Sequence, residues 1–171
     1  MKVTSKRITY LLLLLIIPLF TACDNEDDLV TIFTGKTWKL SRLTTPGSVA
    51  QFPQDFWQTE EAYNSSMQAF QGEKNYTLNF EGVELNGELS GTSVSGKGIK
   101  ATLSGYWTAN GKDNSFSISN IRINTTESDP LAKVYIAGLQ TAYKYEGDAN
   151  SLVLYFKYNN KDMIMGFTPK R

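Results

Sequence analysis

Apolar and polar positions alternate along most of the chain. Tyr76, Leu78 and Phe80 take turns with Thr77, Asn79 and Glu81, the period-two pattern of a strand with one buried and one wet face. The same reading places a first strand over Lys36 to Leu43, with Trp38 and Leu40 on one face. Further short strands follow at about Glu84 to Ser95, Ile99 to Trp107 and Ser115 to Ile123. In the last of these, Phe116 and Ile118 share one parity while Ile121 and Ile123 share the other, which predicts a bulge near Ser119 or Asn120. Asn110-Gly111 is a hairpin signal. A closing hairpin has Leu152, Leu154 and Phe156 alternating outward along the chain, a turn at Asn159-Asn160-Lys161-Asp162, and Met163, Met165 and Phe167 alternating back.

The period changes to that of a helix in two places. Phe56, Tyr63 and Phe70 recur every seven residues with Met67 one turn before Phe70, which predicts a helix from about Gln58 to Phe70, entered through a loop at Pro53 and Phe56-Trp57. Leu131, Val134, Tyr135, Leu139 and Ala142 predict a second helix, opening at Ser128-Asp129-Pro130 and running to Tyr143. Ser128 is its expected N-cap, because Pro130 has no amide hydrogen to lose in the first turn. Gly138 inside it costs about 1 kcal/mol against Ala, which points to close packing on the sheet. The fold class expected is therefore mostly β: a curved or barrel-like antiparallel sheet of about eight strands, with one helix packed against it and a shorter one in an insertion at about 46–72.

The N-terminus obeys neither period. Lys2, Lys6 and Arg7 precede an apolar run from Ile8 to Phe20, and Thr21-Ala22-Cys23 closes it, as in an export signal over residues 1–22. The run is shorter than the roughly 20 apolar residues of a comfortable membrane span, and Pro18 interrupts it. A small residue before the only Cys resembles the lipobox of bacterial lipoproteins, which implies acylation of Cys23 and cleavage in front of it; an ordinary signal peptide is the alternative. Removing residues 1–22 takes away three basic and no acidic side chains, so the balance of 17 and 17 becomes 14 basic to 17 acidic, a net charge of −3. Asp24, Glu26, Asp27 and Asp28 stand directly behind Cys23, and residues 23–34 are expected to form a solvated acidic tether. Their position resembles the acidic sorting signal of Bacteroidetes surface lipoproteins. That implies an outer-membrane protein at the cell surface, with the periplasmic face as the alternative.

Composition removes several chemistries. The chain has no His and one Cys, so it can form neither a Ser-His-Asp triad, nor a Cys-His pair, nor an imidazole metal site, nor an internal disulfide. From Leu29 onward 14 basic residues face 13 acidic ones, which gives no basic surface for nucleic acid. Glu60-Glu61 and Glu84 with Glu88 are the carboxylates to consider for glycoside hydrolysis; acids on exposed strands and helix starts are the plain alternative. Ser95-Gly96-Lys97 lacks a helix to position a Ser-Lys dyad. Asp148 with Asn150, and Asn159-Asn160 with Asp162, are turn residues rather than a calcium loop, and no metal or cofactor is expected. Phe52, Phe56, Trp57 and Tyr63 lie in the insertion instead of the strand pattern. They are the candidate binding residues, either as an exposed platform for an envelope glycan or protein or as a lid folded over one end of the sheet.

The order of elements carries a resemblance. A G-x-x-W-x-L strand (Gly35, Trp38, Leu40) leads to Tyr76 through Phe80, then a Gly-rich stretch from Gly87 to Gly105. Phe116-Ser117-Ile118, Thr125-Thr126, the Leu131 to Tyr143 helix and Leu152 through Phe156 follow. This resembles the META/HslJ-type domain and its uncharacterised relatives among Bacteroidetes lipoproteins, and implies a single such domain over residues 35–171. The expected function is that of a cell-envelope lipoprotein, a non-catalytic binding or interaction module whose partners are the membrane, through the lipid anchor, and an envelope protein or glycan. A lipocalin-like carrier of a small apolar ligand is the alternative, since lipocalins also begin with Gly and Trp; a carboxylate-dependent glycoside hydrolase ranks third. If Cys23 carries the anchor, Cys23→Ser leaves the protein uncleaved or released and abolishes detergent partitioning of the mature form; unchanged partitioning in a phase-separation assay would refute acylation.

Overall fold

The computed structural model describes residues 28–85 and 88–170. Among them eight strands form one antiparallel sheet: β1 (Thr37–Thr44), β2 (Thr77–Leu85), β3 (Glu88–Lys97), β4 (Thr102–Ala109), β5 (Phe116–Ile123), β6 (Ala142–Gly147), β7 (Leu152–Tyr158) and β8 (Lys161–Pro169). Their order is β5-β4-β3-β2-β1-β8-β7-β6, so the first and last strands pair at the middle of the sheet. The edges curl toward each other: the Tyr145 amide donates to the Asn114 carbonyl at 2.9 Å, and Ser115 faces Lys144 in an isolated bridge. The sheet is thus a nearly closed barrel, as the alternation predicts.

Three α-helices, α1 (Leu29–Phe33), α2 (Glu60–Gln71) and α3 (Pro130–Thr141), and one 3-10 turn at Gln54–Phe56 complete the described chain. The strand registers give the barrel two distinct ends. α1, the start of β1, the β2–β3 hairpin and the β6–β7 turn share one end. The insertion with α2, the β3–β4 turn, α3 and the β7–β8 turn share the other.

Side chains fill the space between. Phe33 is wholly buried, stacked on Trp107 (centroids 4.8 Å apart) and Phe116 (5.5 Å), and edge-on to Phe80 (4.9 Å) and Tyr145 (5.0 Å). From the opposite end α3 contributes Leu131, Tyr135 and Leu139, and the Tyr135 phenol, pushed up in pKa by burial, donates to the Thr77 carbonyl at 2.8 Å. A Cβ at Gly138 would lie 2.9 Å from the Phe156 ring and 3.1 Å from Met165, which is the close approach its place in a helix implies. Trp38, Leu40, Leu154 and Phe156 occupy the middle with no exposure above 1%. This filled interior overturns the lipocalin-like carrier, because the apolar volume a ligand would need is taken by the protein's own rings.

Several local expectations hold. β5 bulges where parity changes: Ser104 pairs with Arg122 and Tyr106 with Ser119, leaving Asn120 and Ile121 opposite Gly105, and Asn120 takes φ 51°. The last hairpin turns at the expected place but more tightly: Asn159 and Asn160 alone make the turn, at φ 49° and 61°, the two left-handed residues a tight hairpin requires, while Lys161 and Asp162, expected in the turn, already pair in β8.

Others are corrected. The first is the part of the tether over residues 28–34, which is folded: Asp28 caps α1 by accepting from the Thr31 amide at 2.9 Å and the Thr31 hydroxyl at 2.7 Å, while residues 23–27 lie outside the described residues. These bonds hold the Asp28 carboxyl below the usual range. Five helical residues are too few to display a period, so the acidic run beside them dominates the sequence reading. The strand expected over Glu84 to Ser95 is broken: β2 continues to Leu85 and turns into β3, so Glu84 and Glu88 sit on opposite strands of a hairpin. The N-cap of α3 is Asp129, one residue past Ser128, and α3 stops at Thr141 because Ala142 to Gly147 form β6, which carries Tyr145 into the core.

The rings around Phe33 make a direct test of where the domain begins. Phe33→Ala should destabilise the fold by about 3–5 kcal/mol in urea unfolding. A tether residue would show no change.

Candidate binding groove at the insertion

The insertion is fastened to the barrel at both ends of α2. Thr59 caps its start, accepting from the Ala62 amide at 3.2 Å, and Glu60 and Glu61 occupy the first turn, where the helix dipole favours them. At its end Lys39 of β1 donates to the carbonyls of Phe70 (2.9 Å), Gly72 (2.8 Å) and Asn75 (2.6 Å), which caps one carbonyl of the last helical turn and ties the loop behind it to β1. Its ammonium also lies 5.2 Å from the Phe70 ring, and burial lowers its pKa.

A buried polar chain ties the insertion to α3 and β2. The Trp57 indole donates to the Ser66 hydroxyl at 2.7 Å, and Ser66, with no exposure, donates to Asp129 Oδ2. Asp129 Oδ1 accepts from the Ala132 amide at 2.9 Å, as the α3 cap, and from the Tyr76 phenol at 3.1 Å. Burial first, and the Asp129 charge second, push the Tyr76 phenol up, so it stays a donor. Tyr76 is held at φ 52°, an outlier for an aromatic residue. Backbone bonds from Tyr76 to Gly98 (3.3 Å) and from Leu40 to Tyr76 (2.9 Å) fix it there.

Around this chain two depressions open, one on each side of Gln58-Thr59. The larger, about 580 Å³, lies between the insertion (Pro53, Asp55, Phe56), the first turns of α3 (Pro130, Lys133) and the β7–β8 hairpin (Tyr158, Asn159, Lys161). The smaller, about 410 Å³, is lined by Gln54, Trp57, Glu60 and Tyr63.

The four aromatic candidates therefore separate, and the single exposed platform is corrected. Phe52 (8% exposed) and Trp57 (9%) are buried, with Phe52 edge-on to Phe70 at 5.0 Å and Trp57 edge-on to Tyr63 at 5.0 Å. They form the lid over the end of the sheet, because the indole N–H finds a buried acceptor and the rings find one another. Phe56 is half-buried on the wall of the larger groove, and Tyr63 (37% exposed) borders the smaller. Cys23 lies outside the described residues.

Sequence reasoning missed two carboxylates. Asp129 was visible only as a helix-start residue. Glu127, 5% exposed, accepts from the amides of Ile99 (2.8 Å), Lys100 (2.9 Å) and Ala101 (2.8 Å) through Oε1 and so pins the β3–β4 turn. A Cβ at Gly98 would collide with it, which explains that glycine. Its Oε2 is buried and finds no partner among the described residues. Nothing in its local sequence distinguishes it from an exposed acid. Both carboxylates are engaged in holding turns and caps; Asp148 likewise accepts from the Asn150 and Ser151 amides at 2.7 and 2.9 Å. Among the described residues no cluster of three acidic or thiol side chains could hold a metal ion.

Fold and groove define a class: a side-chain-filled antiparallel barrel whose helical insertion builds a surface groove at one end. The family described as a domain of unknown function, DUF4847, matches residues 24–169, and the chain belongs to it. It is similar to a solved structure, a DUF4847 family protein from Bacteroides vulgatus, at 20% identity and TM-score 0.56 over 84% of this chain and 99% of that one; at this identity the likeness is one of fold. No curated protein matches.

The lid and the groove wall predict different mutant behaviour. Trp57→Ala should cost about 3–5 kcal/mol, since it removes a buried ring and leaves Ser66 without its donor. Tyr63→Ala should cost no more than about 1 kcal/mol. Thermal melts of the two variants measure the contrast, and equal losses would contradict this division.

Proposed function

We propose that the protein is a lipid-anchored module of the outer envelope, displayed at the cell surface, that binds without catalysis through the groove between the insertion, α3 and the β7–β8 hairpin. The observation that carries this reading is the groove's construction. Three elements that are distant in sequence meet there, and they offer two half-buried aromatic walls, Phe56 and Tyr158, between hydrogen-bonding side chains at Gln58, Thr59, Asn159, Lys133 and Lys161. Rings flanked by amides, hydroxyls and ammonium groups suit an envelope saccharide, with a protein loop as the second choice. The absence of His from the chain and the structural employment of Glu127 and Asp129 favour binding over hydrolysis.

The anchor reading fits the polarity of the barrel. α1, which follows Cys23 in sequence, and the groove are at opposite ends, so an anchored molecule presents the groove away from its point of attachment.

Amide-shift mapping with a panel of soluble envelope oligosaccharides tests the proposal. Shifts should gather on Phe56, Lys133, Tyr158 and Asn159, and Phe56→Ala should weaken binding by about 2 kcal/mol, roughly thirtyfold, with the fold intact. Saturable binding that ignores the groove, or survives Phe56→Ala unchanged, would overturn it.

A further inference from the structure

A free ammonium on a protein surface means little by itself, since lysines are mostly exposed. In this chain most of them are engaged. Among the described residues only Lys74, Lys133 and Lys161 have ammonium groups without a hydrogen bond, ion pair or ring contact, and two of these three border the groove at the insertion.

Neither is placed there by the needs of the fold. Lys133 is the fourth residue of α3, where the positive end of the helix dipole disfavours a cation, and the Asp129 carboxylate one turn before it is engaged by Ala132, Tyr76 and Ser66. Lys161 opens β8 beside Asp162, but that acid pairs with Lys157 at 3.4 Å. Glu60 borders the smaller depression and not this one. Among the described residues the groove lining holds one acid, Asp55 on the insertion wall, so two ammonium groups face one carboxylate across it. The lining is therefore positive in a domain whose 14 basic and 13 acidic residues from Leu29 onward nearly cancel.

We infer that the groove takes an acidic saccharide, a uronic acid whose carboxylate meets Lys133 and Lys161 while its ring lies against Phe56 and Tyr158. This rests on the groove being the binding site. A carboxylate supplies the single negative charge that the lining leaves unbalanced. A phosphate monoester brings about −1.5 to −2 at neutral pH, which sets an excess of negative charge against Asp55. Gln58, Thr59 and Asn159 remain for the sugar hydroxyls.

The test titrates the full chain, purified in detergent, with oligosaccharides of galacturonate, glucuronate and mannuronate in a calorimeter. The same oligosaccharides as methyl esters keep every ring and remove the charge; phosphorylated oligomannose and hexaglutamate are run alongside. The acids should bind about tenfold more tightly than their esters, and Lys133→Gln or Lys161→Gln should each weaken them about tenfold without moving the thermal midpoint. Lys74→Gln, away from the groove, should leave binding unchanged. Esters that bind as tightly as the acids, with Phe56→Ala still weakening both, overturn the acidic ligand and leave the groove standing. Binding that Phe56→Ala does not weaken, or no binding by any acid or ester, overturns both. An equal loss from Lys74→Gln marks general attraction of a polyanion and overturns the acidic site. Phosphorylated oligomannose or hexaglutamate bound more tightly than every uronate, through the same two lysines, assigns the groove to a phosphate or to an acidic protein segment and overturns the uronic acid.

Discussion

The Asp129 carboxylate is the interaction on which the functional end of the molecule depends. It caps α3, accepts from the phenol of Tyr76 at the start of β2, and takes the hydroxyl of Ser66, which in turn holds the Trp57 indole. Three donors, from α3 itself, from α2 and from the residue before β2, converge on two oxygen atoms. A half-buried carboxylate gains most from donors held in place around it, and here each donor belongs to a different element, so satisfying the charge also fixes the positions of α2, α3 and the insertion. The groove walls at Phe56, Lys133 and Tyr158 inherit that order.

The opposite end is organised by an apolar constraint. A sheet of eight strands that nearly closes leaves an interior that must be filled, and the strands alone leave one mouth of it short of rings. Phe33 arrives from outside the sheet and completes an aromatic cluster with Phe80, Trp107, Phe116 and Tyr145. Lys36 reinforces the closure by donating to the carbonyls of Thr31 and Ala149 at 2.8 and 2.9 Å, which joins α1 to the β6–β7 turn. One end is thus held by rings and the other by a polar network, and the division of labour follows: the ring-filled end faces the N-terminal segment, while the polar end keeps the space and hydrogen-bonding groups that recognition uses.

Lys39 and Glu127 show how the framework handles the loose ends this arrangement creates. The insertion adds a helix whose end must be tied back to the sheet, and a single lysine from β1 serves the carbonyls of Phe70 in its last turn and of Gly72 and Asn75 in the loop behind it. The β3–β4 turn presents three amides in succession, and one oxygen of Glu127 receives them all. In both cases a charged group is retained in a partly or wholly buried place because backbone groups that cannot reach water need it.

Alternation in the amino-acid sequence determined the mostly β class, the inward faces of β1, β5, β7 and β8, the bulge in β5 and both longer helices to within a few residues, because period-two and helical spacing are local consequences of which face must leave water. The missing histidines removed whole classes of chemistry by inventory alone. Tertiary structure alone decided that α1 belongs to the domain, that Asp129 and not Ser128 caps α3, that Phe52 and Trp57 form a lid while Phe56 and Tyr63 border open space, and that Glu127 is buried. Each of these is settled by a partner far along the chain: Phe33 by Trp107, Trp57 by Ser66 and Asp129, Glu127 by the 99–101 amides. An aromatic ring or a carboxylate carries no local mark of its burial; only the convergence of distant donors and rings in the folded barrel assigns it.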